Sequence, residues 1–88
     1  MPTLSMFYGI LVRMYKESSV QHNFPHIHAA YNEYESVVKF DGTVLEGKLP
    51  SKQMKLLLAW MAIHEEELIA NWKLLCENEP HFKIEPLR

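Results

Sequence analysis

The sequence has one cysteine, three glycines and no excess of positive charge. A lone Cys76 cannot form an internal disulfide, and small secreted domains usually need several, so the chain reads as a reduced, cytoplasmic protein. No stretch approaches 18 uncharged apolar residues, so no membrane span is expected. The opening Met1-Pro2-Thr3-Leu4-Ser5-Met6 has no basic segment ahead of an apolar run and does not read as a secretory signal. Nine Lys and Arg face eleven Asp and Glu, for a net charge of −2. Neither half is a basic arm, so bulk phosphate binding is not advertised. There is no glycine loop to cradle phosphate, no Cys-x-x-Cys pair and no serine-nucleophile motif. No cofactor is expected, and an enzyme and a binding module both stay open.

What is present fits one small domain over residues 1–88. The chain is 48% hydrophobic and 23% charged, ordinary for a globular protein and wrong for a disordered one. A domain of this size buries only about 60–65% of its unfolded surface, so it can gain from a partner or a second copy. Five histidines are many for 88 positions, and their protonation would turn the chain positive below about pH 6.

The apolar pattern changes period along the chain. Residues 9–15 read as a first strand, 26–31 as a second, 34–40 as a third and 43–47 as a short fourth, with a polar loop over 16–24. Asp41-Gly42 is a strong two-residue hairpin signal, and Asn32-Glu33 a weaker one. Two-residue loops would pair Tyr31 with Tyr34, Ala29 with Ser36, Ile27 with Val38 and His26 with Lys39. The next hairpin would pair Phe40 with Thr43 and Val38 with Leu45. One face then carries Ile27, Ala29, Tyr31, Tyr34, Val38, Phe40 and Leu45. The other carries His26, His28, Glu35, Val37, Lys39 and Glu46, the wet side of a one-sided antiparallel sheet.

Leu49-Pro50 ends the sheet, and Ser51 reads as a helix N-cap. A helical period runs from 51 to about 78, without Gly or Pro. Met54, Leu57, Leu58, Met61, Leu68, Trp72 and Leu75 form its main stripe. Leu56, Trp60 and Ile63 form a second patch, to be covered by a folded-back segment or, as the preferred reading, by a second molecule in a homodimer. Cys76 falls on the apolar stripe and reads as an inert packed thiol. Pro80 stops the helix, and 79–88 form an ordered tail in which 82–85 could add an edge strand. The expected class is α+β: a small antiparallel sheet of three to four strands over 9–47, packed on one long C-terminal helix.

The segment Gln21-His22-Asn23-Phe24-Pro25-His26-Ile27-His28 carries the most chemistry. His26 and His28 are two apart on a strand, so both rings leave one face with Cβ atoms about 7 Å apart. They read either as solvated strand histidines, as a catalytic or RNA-contacting pair, or as two metal ligands. A metal would need a third ligand, with His22 or Glu35 nearest. Arg13 interrupts an apolar strand and either clamps a phosphate beside the histidines or pairs with Glu35 or Glu46. His26, His28, Arg13 and Glu35 together could supply general acid–base chemistry around one phosphate. His64, before Glu65-Glu66-Glu67, reads as a boundary histidine beside a solvated acidic turn, and Trp60 and Trp72 as core or interface anchors.

Five blocks in order are similar to a family of small prokaryotic proteins, domain of unknown function 4160. They are Pro2-Thr3-Leu4-Ser5-Met6-Phe7-Tyr8-Gly9-Ile10, Pro25-His26-Ile27-His28-Ala29, Val44-Leu45-Glu46-Gly47-Lys48-Leu49-Pro50, Glu67-Leu68-Ile69-Ala70-Asn71-Trp72 and Ile84-Glu85-Pro86-Leu87. Members commonly read Pro-Pro-His-Phe-His where this chain has Phe24-Pro25-His26-Ile27-His28, so both histidines remain. Gln21 stands where an acidic residue is often found, which lowers the weight of a metal site. The family has no established activity. Its members are often encoded beside a small protein of the 2442 family, an arrangement similar to toxin–antitoxin operons. The resemblance therefore implies one component of such a module, in one version a toxin half acting on RNA or translation, with a small protein partner from an adjacent gene. The alternative is a noncatalytic interaction module that dimerises through Leu56, Trp60 and Ile63.

Overall fold

The alternating and helical patterns resolve into five strands and two helices in a computed structural model, which describes residues 3–14, 24–77, 79–80 and 82–87. The strands are β1 (Thr3–Phe7), β2 (Ile10–Arg13), β3 (His26–Tyr31), β4 (Tyr34–Lys39) and β5 (Val44–Gly47). They form one antiparallel meander in chain order. The helices are α1 (Ser51–Ile63) and α2 (Glu65–Cys76). The class is α+β as expected, but with five strands in place of three to four, and two helices in place of one.

The extra strand is β1. Its Leu4 and Phe7 are buried in the core. Tyr8 and Gly9 both take positive φ, 48° and 80°, which is what a two-residue type I′ connection requires. Tyrosine is an unusual first residue for that turn, so the hairpin signal is half hidden and Gly9 reads as the start of a strand.

The β3–β4 hairpin has the expected register, with Tyr31 opposite Tyr34, Ala29 opposite Ser36, Ile27 opposite Val38 and His26 opposite Lys39. The β4–β5 hairpin differs at its tip. Gly42 (φ 95°) donates to Lys39 O at 2.9 Å and Lys39 donates to Thr43 O at 2.8 Å, so the turn holds one residue more than the two expected. Val38 therefore faces Val44 and not Leu45. A bulge between Val37 and Val38 then restores the expected count, with Val37 opposite Glu46 and Ser36 opposite Gly47. Gly47 is irreplaceable by geometry: φ is 66°, and an added Cβ would lie 2.0 Å from Glu35 O.

The helical run breaks at His64, whose backbone (φ −109°, ψ 26°) leaves the helix while its N–H still bonds Trp60 O at 3.0 Å. Glu65, Glu66 and Glu67 fill the first turn of α2, where a helix dipole favours carboxylates. Glu67 also accepts from His64 Nδ1 at 2.6 Å, tying the break to the new helix. A straight helix of 28 residues would be about 42 Å long. The molecule is 34 Å in its longest dimension, so the break lets one amphipathic run stay on the sheet. Ser51 is the first helical residue, and the N-cap position belongs to Pro50 with no side-chain cap.

The helices cover the sheet face of Val12, Ile27, Ala29 and Val38 with Leu57, Trp60, Met61 and Leu68. The main stripe is thus the core side. Trp60, expected on an assembly surface, is 0% exposed and packs on the Phe7 ring at 5.2 Å. Its Nε1–H donates to Glu85 O at 2.8 Å, so the chain's own tail closes that patch. Ile84 is buried and donates its N–H to Leu4 O at 2.9 Å, which places the tail along β1. Leu56 is partly buried against the core, Ile63 is exposed, and Cys76 is an exposed free thiol and not a packed one.

Candidate functional site

The meander sets the neighbours that the sequence leaves undecided. Cross-strand pairs run in one row through Thr3, Arg13, His28, Val37 and Glu46. A second row runs through Met6, Leu11, Ala30 and Glu35. Residues paired across a sheet leave the same face, and alternate residues share it, so both rows lie on the face opposite Ile27, Ala29 and Val38. That face, expected wet throughout, is covered at one end, where His26 packs on Trp72 of α2 and Val37 is buried. Arg13 is thus brought directly beside His28, as a phosphate clamp would require. Glu35 is one diagonal step from His28. Glu46 lies three strands from Arg13, about 14 Å at the usual strand spacing, so of the two carboxylates weighed as partners for Arg13 it is the farther.

The two histidines do share a face, with ring centroids 5.2 Å apart at 63°. Their environments differ. His28 is half-buried, whereas His26 is 0% exposed and its ring packs on Trp72 of α2 at 5.3 Å. His26 Nδ1 lies 2.6 Å from Phe24 O. A carbonyl only accepts, so Nδ1 carries the hydrogen and a neutral ring keeps its lone pair on Nε2. His26 is therefore a fixed interior ring that sets His28, and not a group that meets a ligand from solvent. Trp72 also meets Phe40 at 6.1 Å, which ties α2 to the start of β3 and the end of β4.

The rim beside this pair is held by charge and aromatic contact. Lys39 Nζ lies 4.5 Å from the Phe24 ring centroid and 3.7 Å from Asp41 Oδ2. The Thr43 backbone N–H bonds Asp41 Oδ1 at 2.9 Å. That bond, with the Thr43 hydroxyl and the nearby Lys39 ammonium, holds the Asp41 carboxyl below its ordinary value. Phe40 N–H reaches Pro25 O at 3.3 Å, so Phe24-Pro25 is clamped onto the hairpin.

Among the described residues, no group of three His, Cys, Asp or Glu is placed to hold a metal ion. His22, the loop candidate for a third ligand, lies outside the described residues, as does most of the 16–24 loop. No helix is long and apolar enough to cross a membrane, among the described residues. One polar residue passed over in the sequence pattern is Asn71. It is 0% exposed on α2, and its Oδ1 accepts from Phe82 N–H at 2.8 Å. Its signal was an amide at core spacing, three residues after Leu68.

A family model described as Domain of unknown function (DUF4160) matches residues 9–73, well over half of the chain. The chain belongs to the DUF4160 family. That DUF4160 segment contains Arg13, His26, His28, Glu35, His64 and Asn71, and runs from the turn before β2 to within four residues of the end of α2. No curated protein and no solved structure matches the chain.

Proposed function

We propose that this DUF4160 protein is one component of a two-protein module of the toxin–antitoxin kind, and that it meets a small protein partner on the sheet face of Arg13 and His28. The observation that carries this reading is the composition of that face. Exposed Met6 and partly buried Leu11 and Ala30 form an apolar row beside the cationic Arg13 and the half-buried His28. An apolar strip with an arginine next to it is the chemistry of an interface centre.

Burial weighs against the ribonuclease version, in which His26 and His28 share acid–base work. A fully buried His26 reaches no phosphate, and His28 Nε2 is also shielded from solvent, so catalysis would fall to Arg13, Glu35 and the half-buried ring of His28. Binding without chemistry fits this face better, and a catalytic toxin acting on RNA is the second reading. The homodimer is also a proposal, now resting on Leu56 and on Ile63, which is 66% exposed. The module reading places the protein in the cytoplasm.

Co-expression with the product of the adjacent gene tests the proposal. A complex should form, and Arg13→Glu or Met6→Asp should weaken it at least ten-fold while leaving the thermal midpoint within a few degrees. A complex indifferent to both changes would reject this face. Growth arrest by the protein alone that His28→Ala and Arg13→Ala each relieve would favour the catalytic reading.

A further inference from the structure

A second surface has the chemistry of a site. A groove of about 530 Å³ lies where β4, the connector after β5 and the first turns of α1 meet. Its lining residues are Tyr34, Lys48, Leu49, Pro50, Ser51, Met54 and Lys55. The volume is in the ~300–1,000 Å³ range of ligand clefts. The floor is apolar: Leu49 is buried, and Tyr34, Pro50 and Met54 are partly so. Both cations are exposed, and no carboxylate lines the groove.

The walls are held by backbone geometry. Lys48 N–H donates to Glu35 O at 3.0 Å, a contact that exists because Gly47 has no Cβ. Met54 N–H closes the first helical turn onto Pro50 O at 2.9 Å. The connector therefore presents the groove preformed, and an occupant would not have to order it.

The charge around it breaks a local rule. α1 contains Lys52 and Lys55 and no acidic residue, and Lys48 joins them three residues before the helix starts. Lysines at that end of a helix oppose the dipole and one another, and each costs a few tenths of a kcal/mol. The chain as a whole is net negative at −2, so this positive cluster is a local feature. A cluster of cations that runs against these local preferences suits an external counter-charge.

We infer that this groove docks an acidic peptide segment that carries a bulky apolar side chain. The carboxylates meet Lys48 and Lys55, and the apolar side chain lies on Met54, Leu49 and the Tyr34 ring. The inference rests on the reading that the protein has a protein partner, and adds the chemistry of one segment of it. Tyr34 and Glu35 leave opposite faces of β4, so the groove is separate from the Arg13–His28 surface.

The probe is a fluorescein-labelled peptide, Asp-Glu-Leu-Asp-Glu-Phe-Asp, followed by anisotropy with the full chain. Binding should be saturable and weaken as salt rises. A peptide with lysine at each acidic position should not bind. Lys48→Gln with Lys55→Gln should weaken binding about ten-fold, as two exposed ion pairs together would. Both lysines are exposed, so that variant should keep the wild-type thermal midpoint; a variant that unfolds is replaced by Met54→Ser, which should lose affinity for the same peptide. Arg13→Glu should leave peptide binding unchanged. No binding, or binding that survives the lysine changes, overturns the inference. Displacement of the peptide by an equal charge of oligouridine assigns the groove to nucleic acid and also overturns it. A partner complex that persists without peptide binding rejects the groove alone, whereas absence of any complex rejects the module reading.

Discussion

Trp60→Phe separates the interior from an assembly surface. Trp60 is fully buried on Phe7, and its Nε1–H bonds Glu85 O at 2.8 Å. Phenylalanine keeps an aromatic ring there and removes the donor. Losing that hydrogen bond costs about 1 kcal/mol. The smaller ring leaves a void of roughly 40 Å³, which at ~24 cal/mol per Å³ adds about 1 kcal/mol beside the lost transfer term. The sum is about 2–3 kcal/mol, a large share of the ~4–13 kcal/mol expected for 88 residues. At 4–8 °C per kcal/mol the midpoint should fall by about 10–20 °C. Circular dichroism melts at protein concentrations a hundred-fold apart measure both quantities needed. An interior tryptophan gives the same deficit at each concentration. An interface anchor would make the deficit grow with concentration, because association stabilises only the wild type. In a Trp72→Phe background, Trp60 is the remaining indole and should emit in the blue even when dilute. A midpoint within about 3 °C of wild type, or red emission that shifts on concentration, would refute the placement of Trp60.

Gly47→Ala should cost about 3 kcal/mol or more, since positive φ alone costs ~1–2 and the clash with Glu35 O also breaks the Lys48 hydrogen bond. Urea titration reads this directly, and a loss under about 1 kcal/mol would contradict the tight β4–β5 closure. Asn71→Ala removes the acceptor for Phe82 N–H and should cost about 1–2 kcal/mol. Limited proteolysis should then cut near residues 82–87 sooner than in wild type. Asp41 has a depressed carboxyl pKa in the folded state, so its contribution is present above the ordinary carboxylate value and is lost as pH falls through the folded value. Asp41→Asn should therefore be less stable than wild type at pH 7, with the gap closing in acid; a gap that widens in acid would reverse the assignment.

The β3–β4 hairpin was legible because alternation and a two-residue loop together leave only one register. The same arithmetic failed at the tip of β4–β5, where Asp41-Gly42 belongs to a longer turn, and recovered after the Leu45 bulge. β1 was hidden by Tyr8, a poor turn former placed in a type I′ conformation by its surroundings. The break at His64 has no Gly or Pro to announce it. It answers to the size of the sheet, a tertiary cause that helical periodicity does not contain. At the site, the shared face of His26 and His28 followed from strand geometry alone. The pairing of Arg13 with His28 needed strand order, and the burial of His26 needed Trp72, far along the chain. A folded-back segment and a second molecule read alike as cover for the Trp60 patch, because the contact that decides between them, Trp60 with Glu85, joins residues that helical periodicity does not relate.

A backbone bond from Ile84 N–H to Leu4 O ties together residues near opposite ends of the described chain. Closing a loop of roughly 80 residues costs about 4 kcal/mol in the unfolded chain by the (3/2)RT ln n rule, several times what one hydrogen bond returns. The clasp therefore cannot lead folding. It closes only after the hairpins and helices have shortened the effective loop. What forms last also opens first, so the Ile84 amide is expected to exchange with solvent well ahead of those in β3 and β4. Each such opening would uncover Trp60 while the sheet stays intact, so the indole's exposure in time is set by this latch and not by global unfolding.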